Sequence, residues 1–107
     1  MMQVVYYRKQ HLLTVTGHAG SAEPGQDLVC ASASMLAYTL AANVANMADA
    51  GQVRQPIMEM KEGNTRISCN PVAKLKHVVT LVFDTVCTGF ALLAHDHPEY
   101  VTYEIRP

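Results

Sequence analysis

Apolar and polar positions change period several times along the chain, and those changes mark its elements. Met2 to Arg8 (MQVVYYR) and His11 to Thr16 (HLLTVT) are rich in β-branched and aromatic residues and predict two strands. Lys9 and Gln10 would close them into a hairpin, although neither is a preferred turn residue. Gly17 to Gln26 (GHAGSAEPGQ) has no apolar period. Its glycines, Gly17, Gly20 and Gly25, and its proline predict a mobile loop. Leu28 to Ala48 predicts one long alanine-rich helix, capped by Asp27 at its start and by Gly51 at its end. Val53 to Met60 predicts an edge strand, because Pro56 cannot donate to a ladder. Lys61 to Asn64 (KEGN) predicts a turn, and Thr65 to Cys69 the returning strand. Pro71 suits the first turn of a second helix. Its body, Val72 to Ala94, repeats apolar residues with a helical period. Pro98 stops it, and Glu99 to Ile105 predicts a last strand. The order ββαββαβ implies the α+β class: a single domain with one mainly antiparallel sheet carrying two helices.

Composition narrows the class. Half of the 107 residues are hydrophobic and the mean hydropathy is +0.07, values of a folded chain rather than a disordered one. No unbroken apolar run reaches the roughly 18 residues of a membrane span. Met1 to Arg8 lacks the layout of a signal peptide, so the expected location is the cytoplasm. A net charge of −1 provides no basic footprint for nucleic acid. The three cysteines, Cys30, Cys69 and Cys87, are widely spaced and form no CxxC pair, which argues against a disulfide framework.

Candidate chemistry centres on Cys30. Behind a cap at Asp27 it would lie in the first turn of a helix, where free N–H groups and the positive helix end favour a thiolate. The same N–H groups could receive an oxyanion. The position equally suits a small buried cysteine packing the helix start. Cys69, just before Asn70 and Pro71, also approaches a helix start, but no histidine is near it in sequence and it reads as a core residue. Cys87 reads as helix packing. A cysteine nucleophile needs a base. Among His11, His18, His77, His95 and His97, His18 opens the glycine-rich loop and has small neighbours that leave room for a peptide. It could also be a solvated loop histidine. His95 and His97 supply only two potential zinc ligands and fit better as cations at a helix C-terminus, so no metal or cofactor is expected.

Gly17-His18-Ala19, followed by Asp27-Leu28-Val29-Cys30-Ala31-Ser32-Ala33-Ser34, resembles the ribosomal-processing cysteine protease family, Prp. That family carries a GHA loop and then D-x-V-C-A-x-x-S at the head of a long helix. The order of elements is similar along nearly the whole chain, as is the His97-Pro98-Glu99-Tyr100-Val101 junction. The resemblance implies a protease that removes the N-terminal extension of a large-subunit ribosomal protein, and a homodimer joined partly through helices. It implies a dyad of Cys30 and His18, with Asp27 and Ser34 as flanking polar positions and Gly17, Ala19, Gly20 and Gly25 in the substrate loop. Family loops often hold more acids or glycines than the stretch Gly20 to Gln26, where Glu23 is the sole acid, which implies a different substrate preference. The rival reading is a non-enzymatic dimeric binding module or ribosome-assembly factor with an inert Cys30. A homodimer is also expected from the first helix itself. Met35, Leu36, Leu40, Val44 and Met47 make more apolar surface than a small sheet should cover.

Overall fold

The computed structural model describes residues 1–19 and 24–107, and its strands pair into one five-stranded sheet in the order β3-β4-β2-β1-β5. Chain order is β1 (Met2–Tyr7), β2 (Leu12–Thr16), α1 (Pro24–Asp49), β3 (Val53–Lys61), β4 (Asn64–Pro71), a 3-10 turn (Ala73–Leu75), α2 (Lys76–Asp96) and β5 (Val101–Arg106). The expected α+β class and ββαββαβ order therefore hold. Three of the four strand pairings are antiparallel, and β1 runs parallel to β5.

Period-two alternation sets which face of the sheet is covered. Met2, Val4 and Tyr6 of β1 are buried, as are their neighbours Leu13 and Val15 of β2 and Ile67 and Cys69 of β4. Against this face α1 lays Val29, Ala33, Ala37, Leu40, Ala41 and Val44, a stripe of helical spacing in which the alanines bring the helix close to the strands. α2 adds Val79, Phe83, Val86, Phe90 and Leu93. The helices touch at Gly89, where an added Cβ would meet Leu36 Cδ2 at 2.6 Å.

Several boundaries differ from expectation. α1 starts at Pro24, because proline is pre-set for the first helical position and its missing N–H would have had no partner there. Asp27 is therefore inside the first turn and is not the N-cap, and Gly25 belongs to the helix rather than to a loop. The mobile loop expected from Gly17 to Gln26 falls largely at residues 20–23, Gly20 included, which lie outside the described residues. Pro71 does not open α2; it ends β4 opposite Val53. Pro56 sits on edge strand β3 as expected, within a bulge between Arg54 and Ile57. The first hairpin turns over Arg8 to His11, not over Lys9 and Gln10 alone, with His11 at φ 50°. Both helices are long and apolar enough to cross a membrane by length and composition. Neither forms an unbroken apolar run, because Ser, Thr, Asn and a few charged residues interrupt them.

At the far end of β1, Tyr6 is fully buried and its hydroxyl donates to Asp84 Oδ1 at 2.7 Å. Arg8 grips both Asp84 oxygens at 3.0 Å. The Arg8 guanidinium, with help from the Tyr6 hydroxyl, holds the Asp84 carboxyl below the usual carboxylate range. Burial, followed by the bond to Asp84, pushes the Tyr6 phenol well above its ordinary value.

His11 is buried beside this cluster, its ring edge-on to Phe83 at a centroid distance of 5.8 Å. Its Nε2 lies 2.7 Å from Thr80 Oγ1, and that hydroxyl donates to the Lys76 carbonyl at 2.9 Å. The single hydroxyl hydrogen is thus committed, so His11 Nε2–H is the donor. Burial, then the positive charges of Lys76 and Arg8, lower its pKa. Around pH 6.5 the unfolded histidine begins to take up a proton that the folded one refuses. Between the folded and unfolded values the unfolded state binds more protons, so stability falls as pH falls through that window. Thermal melts should therefore show a loss between pH 7.5 and 5.5. His11→Asn, which suits the left-handed backbone, should flatten that slope, and an unchanged slope would reject the assignment. Asp84 does not interfere, because its own contribution is lost only at more acidic pH.

Candidate active site

A cleft of about 410 Å³ opens between the first half of α1 and the tip of the β3–β4 hairpin, and both His18 and Cys30 line it. Its helix wall is Cys30, Ala33, Ser34, Ala37 and Tyr38; its sheet wall is Met2, Val15, Met60 and the turn Lys61 to Asn64. Cys30, Ser34 and Tyr38 follow one another at four-residue spacing and so stand along one edge of the helix. Cys30 is half-buried against the core, whereas Ser34 and His18 are exposed.

The backbone delivering His18 is pinned from two sides. Gly17 has φ +83°, and a Cβ there would collide with the Met1 carbonyl oxygen. The Gly17 N–H donates to the Gly63 carbonyl at 3.0 Å. Gly17 therefore meets a steric and a conformational demand that only glycine satisfies. Ala19 does not line the cleft; it is buried in the core and anchors the segment just beyond His18.

Because α1 begins at Pro24, Cys30 occupies the second turn. There each N–H bonds the carbonyl four residues earlier. The expectation that the Cys30 N–H is free to hold an oxyanion does not stand, and the dipole effect, which fades beyond the first turn, is weakened as well.

The other thiols are set apart by burial. Cys69 is 5% exposed, and burial pushes its thiol up to about 11. The fold does bring His11 beside it, since the Cys69 N–H donates to the His11 carbonyl at 3.3 Å. The His11 ring nevertheless turns to Thr80 and Phe83. Cys87 is 1% exposed and pushed up to about 12, first by burial and then by the nearby Asp84 charge. All three cysteines are free thiols. Among the described residues, His18 is the histidine that lines the cleft. His77 is exposed on α2, and His95 pairs with Asp96 at 3.3 Å in the last turn of that helix. No group of three metal-ligating side chains gathers among the described residues.

Sequence reasoning missed Tyr38 and the Lys61–Asn64 turn as parts of this site. Tyr38 carried a legible signal, lying two helical turns after Cys30. The turn carried none, because its approach to His18 depends on the pairing of β2 with β4.

The chain matches the family model described as cysteine protease Prp over residues 1–102. It superposes on the crystal structure of SMU.848 from Streptococcus mutans with a TM-score of 0.70 and 29% identity, covering 98% of this chain and 91% of that one. It is also similar in fold to the essential ribosomal processing protease Prp from S. aureus. The structure of that protein with a covalently linked product peptide gives a TM-score of 0.67 at 17% identity, covering 98% of this chain and 97% of that one. The structure with a substrate peptide gives 0.63 at 16% identity with the same coverage. A search of curated proteins found no match. With the family model covering almost its full length, the chain belongs to the cysteine protease Prp family.

Proposed function

We propose that this chain is a cysteine endopeptidase that removes the N-terminal extension of a large-subunit ribosomal protein through a dyad of Cys30 and His18. The observation that carries the reading is the shared cleft: the most accessible of the three thiols and the loop histidine line the same groove, which is open to a peptide. Family membership supports the reaction class. The similarity to the S. aureus ribosomal processing protease supports a ribosomal protein as the substrate.

In this mechanism His18 takes the Cys30 proton, and the sulfur attacks the scissile carbonyl to form a tetrahedral intermediate. As the C–N bond breaks, His18 returns the proton to the leaving amine. Water, deprotonated by His18, then attacks the thioester and releases the acid and the thiol. Ser34, one turn beyond Cys30, can donate a hydrogen bond to the sulfur or to the substrate. Asp27 sits one turn before Cys30 on the same helix, and its negative charge suits the helix start. The proposed location is the cytoplasm, where free thiols persist. The test is incubation with the ribosomal protein bearing its extension, read by intact mass, for the wild type and for Cys30→Ala.

We also propose a homodimer, but of the residues expected from the sequence only Met35 is exposed enough to take part. Leu40, Val44 and Met47 are buried within the chain, covered by the sheet and α2. The exposed apolar side chains on the helices include Leu28 and Met35 of α1 together with Val78, Leu81 and Leu92 of α2. On α2 the exposed positions 78, 81, 85, 88 and 92 alternate steps of three and four, the spacing of a helix-packing seam. Thr85 and Thr88 do not break it, because their hydroxyls turn back to the carbonyls of Leu81 and Asp84 at 2.8 Å and leave their methyl groups outward. Sedimentation should give a dimer at micromolar concentration and a monomer for Leu81→Glu with Leu92→Glu. A monomeric wild type would reject the proposal.

A further inference from the structure

We propose that Gly63, in the β3–β4 turn, is a positioning residue that seats the His18 imidazole in the cleft. The inference rests on the reading of His18 as the base for Cys30.

Gly63 has φ +73°, and a Cβ built on it would lie 2.8 Å from His18 Nε2 and 3.1 Å from Cε1. Real Cβ atoms do not come that close to a ring. The imidazole edge therefore occupies the space that any side chain at position 63 would need. The same glycine reaches the histidine by a second route, since its carbonyl accepts the Gly17 N–H at 3.0 Å. One residue thus touches the ring and ties the backbone immediately before it.

The site requires such a seat because His18 lies beyond the end of β2, outside the ladder that fixes Thr16 opposite Asn64. A proton shuttle displaced by about 1 Å can lose roughly a hundredfold in rate. In the usual nucleophile–base arrangement a third polar group orients the base. Here the orientation is steric, supplied by a turn residue without a side chain. The rest of that turn, Lys61, Glu62 and Asn64, lines the cleft beside it, so the element that seats the base also borders the space a peptide would fill.

The structure contains its own control. Gly51, at the end of α1, has the same φ of +73°, and an added Cβ there meets nothing within 4 Å. Gly51→Ala and Gly63→Ala therefore place alanine at the same φ and differ in the collision with His18. Gly63→Asn adds the colliding Cβ with a residue that tolerates the left-handed region, so it should fold even if Gly63→Ala does not. The experiment measures kcat and KM for cleavage of the ribosomal protein by wild type, Gly51→Ala, Gly63→Ala, Gly63→Asn and His18→Ala. It is paired with thermal melts and the NMR signal of the His18 Cε1–H. The expected result is a roughly 10- to 100-fold loss of kcat in both Gly63 variants with KM little changed, and a displaced His18 signal. Gly51→Ala should keep the wild-type kcat. Gly63 variants that cut as fast as Gly51→Ala, while His18→Ala is inactive, overturn the seat and leave the dyad standing. His18→Ala cutting at the wild-type rate overturns the dyad, and the seat with it.

Discussion

Cys30→Ala should fold, bind the ribosomal protein and cut none of it. The residue is half-buried at the edge of α1 and packs only partly into the core, so loss of its sulfur leaves a small defect that an alanine-rich helix absorbs. Without the sulfur there is no acyl-enzyme, and neither Cys69 nor Cys87 can substitute from beneath the sheet and helices. His18→Ala should fall by roughly 100- to 10,000-fold, the usual worth of a positioned acid–base group. The loss should lie in kcat, because the thiol then has neither a proton acceptor nor a means of protonating the leaving amine. Intact mass measured over time reads both variants, and calorimetry with Cys30→Ala reads binding. Wild-type cleavage by His18→Ala would send the search for the base elsewhere, since no other described histidine faces the cleft.

Phe83→Ala should be the most destabilising single truncation in the core. Phe83 is fully buried on α2, its ring stacked on Tyr6 at 6.1 Å between centroids and met edge-on by His11. Truncating a buried phenylalanine costs about 3–5 kcal/mol. A domain of this size has roughly 5–15 kcal/mol in total. The damage spreads further, because Phe83 backs the Tyr6 ring whose hydroxyl meets Asp84, and it also walls the buried His11. Thermal denaturation should register a fall in Tm of about 15 °C or more. Phe83→Leu, which keeps most of the volume, should recover much of it. A shift of only a few degrees for Phe83→Ala would mean that this end of the core carries little of the stability.

Local pattern was enough to read most of the elements. The helical repeat through Val79, Phe83, Val86 and Phe90 announced α2, and the β-branched and aromatic residues of Met2 to Arg8 announced β1. The segments Gly17-His18-Ala19 and Asp27 to Ser34 pointed to the residues that now share a cleft. What failed locally failed where two local rules compete. Asp27 is a good cap and Pro24 a good first residue, and the helix took the earlier start. Pro71 suits a first helical turn, yet pairing with Val53 kept it in the sheet.

By itself, then, the amino-acid order determined the class and the two helices, because these depend on neighbours a few residues apart, and it nominated His18 and Cys30 as the side chains to test. Only the tertiary structure decided that β5 docks parallel to β1, that Leu40, Val44 and Met47 are spent on the internal core, and that a glycine 45 residues after His18 comes up against its ring. Those outcomes turn on long-range strand register and on which surfaces remain once the helices cover one face of the sheet. No local spacing encodes either, since both arise from contacts between segments far apart in the chain.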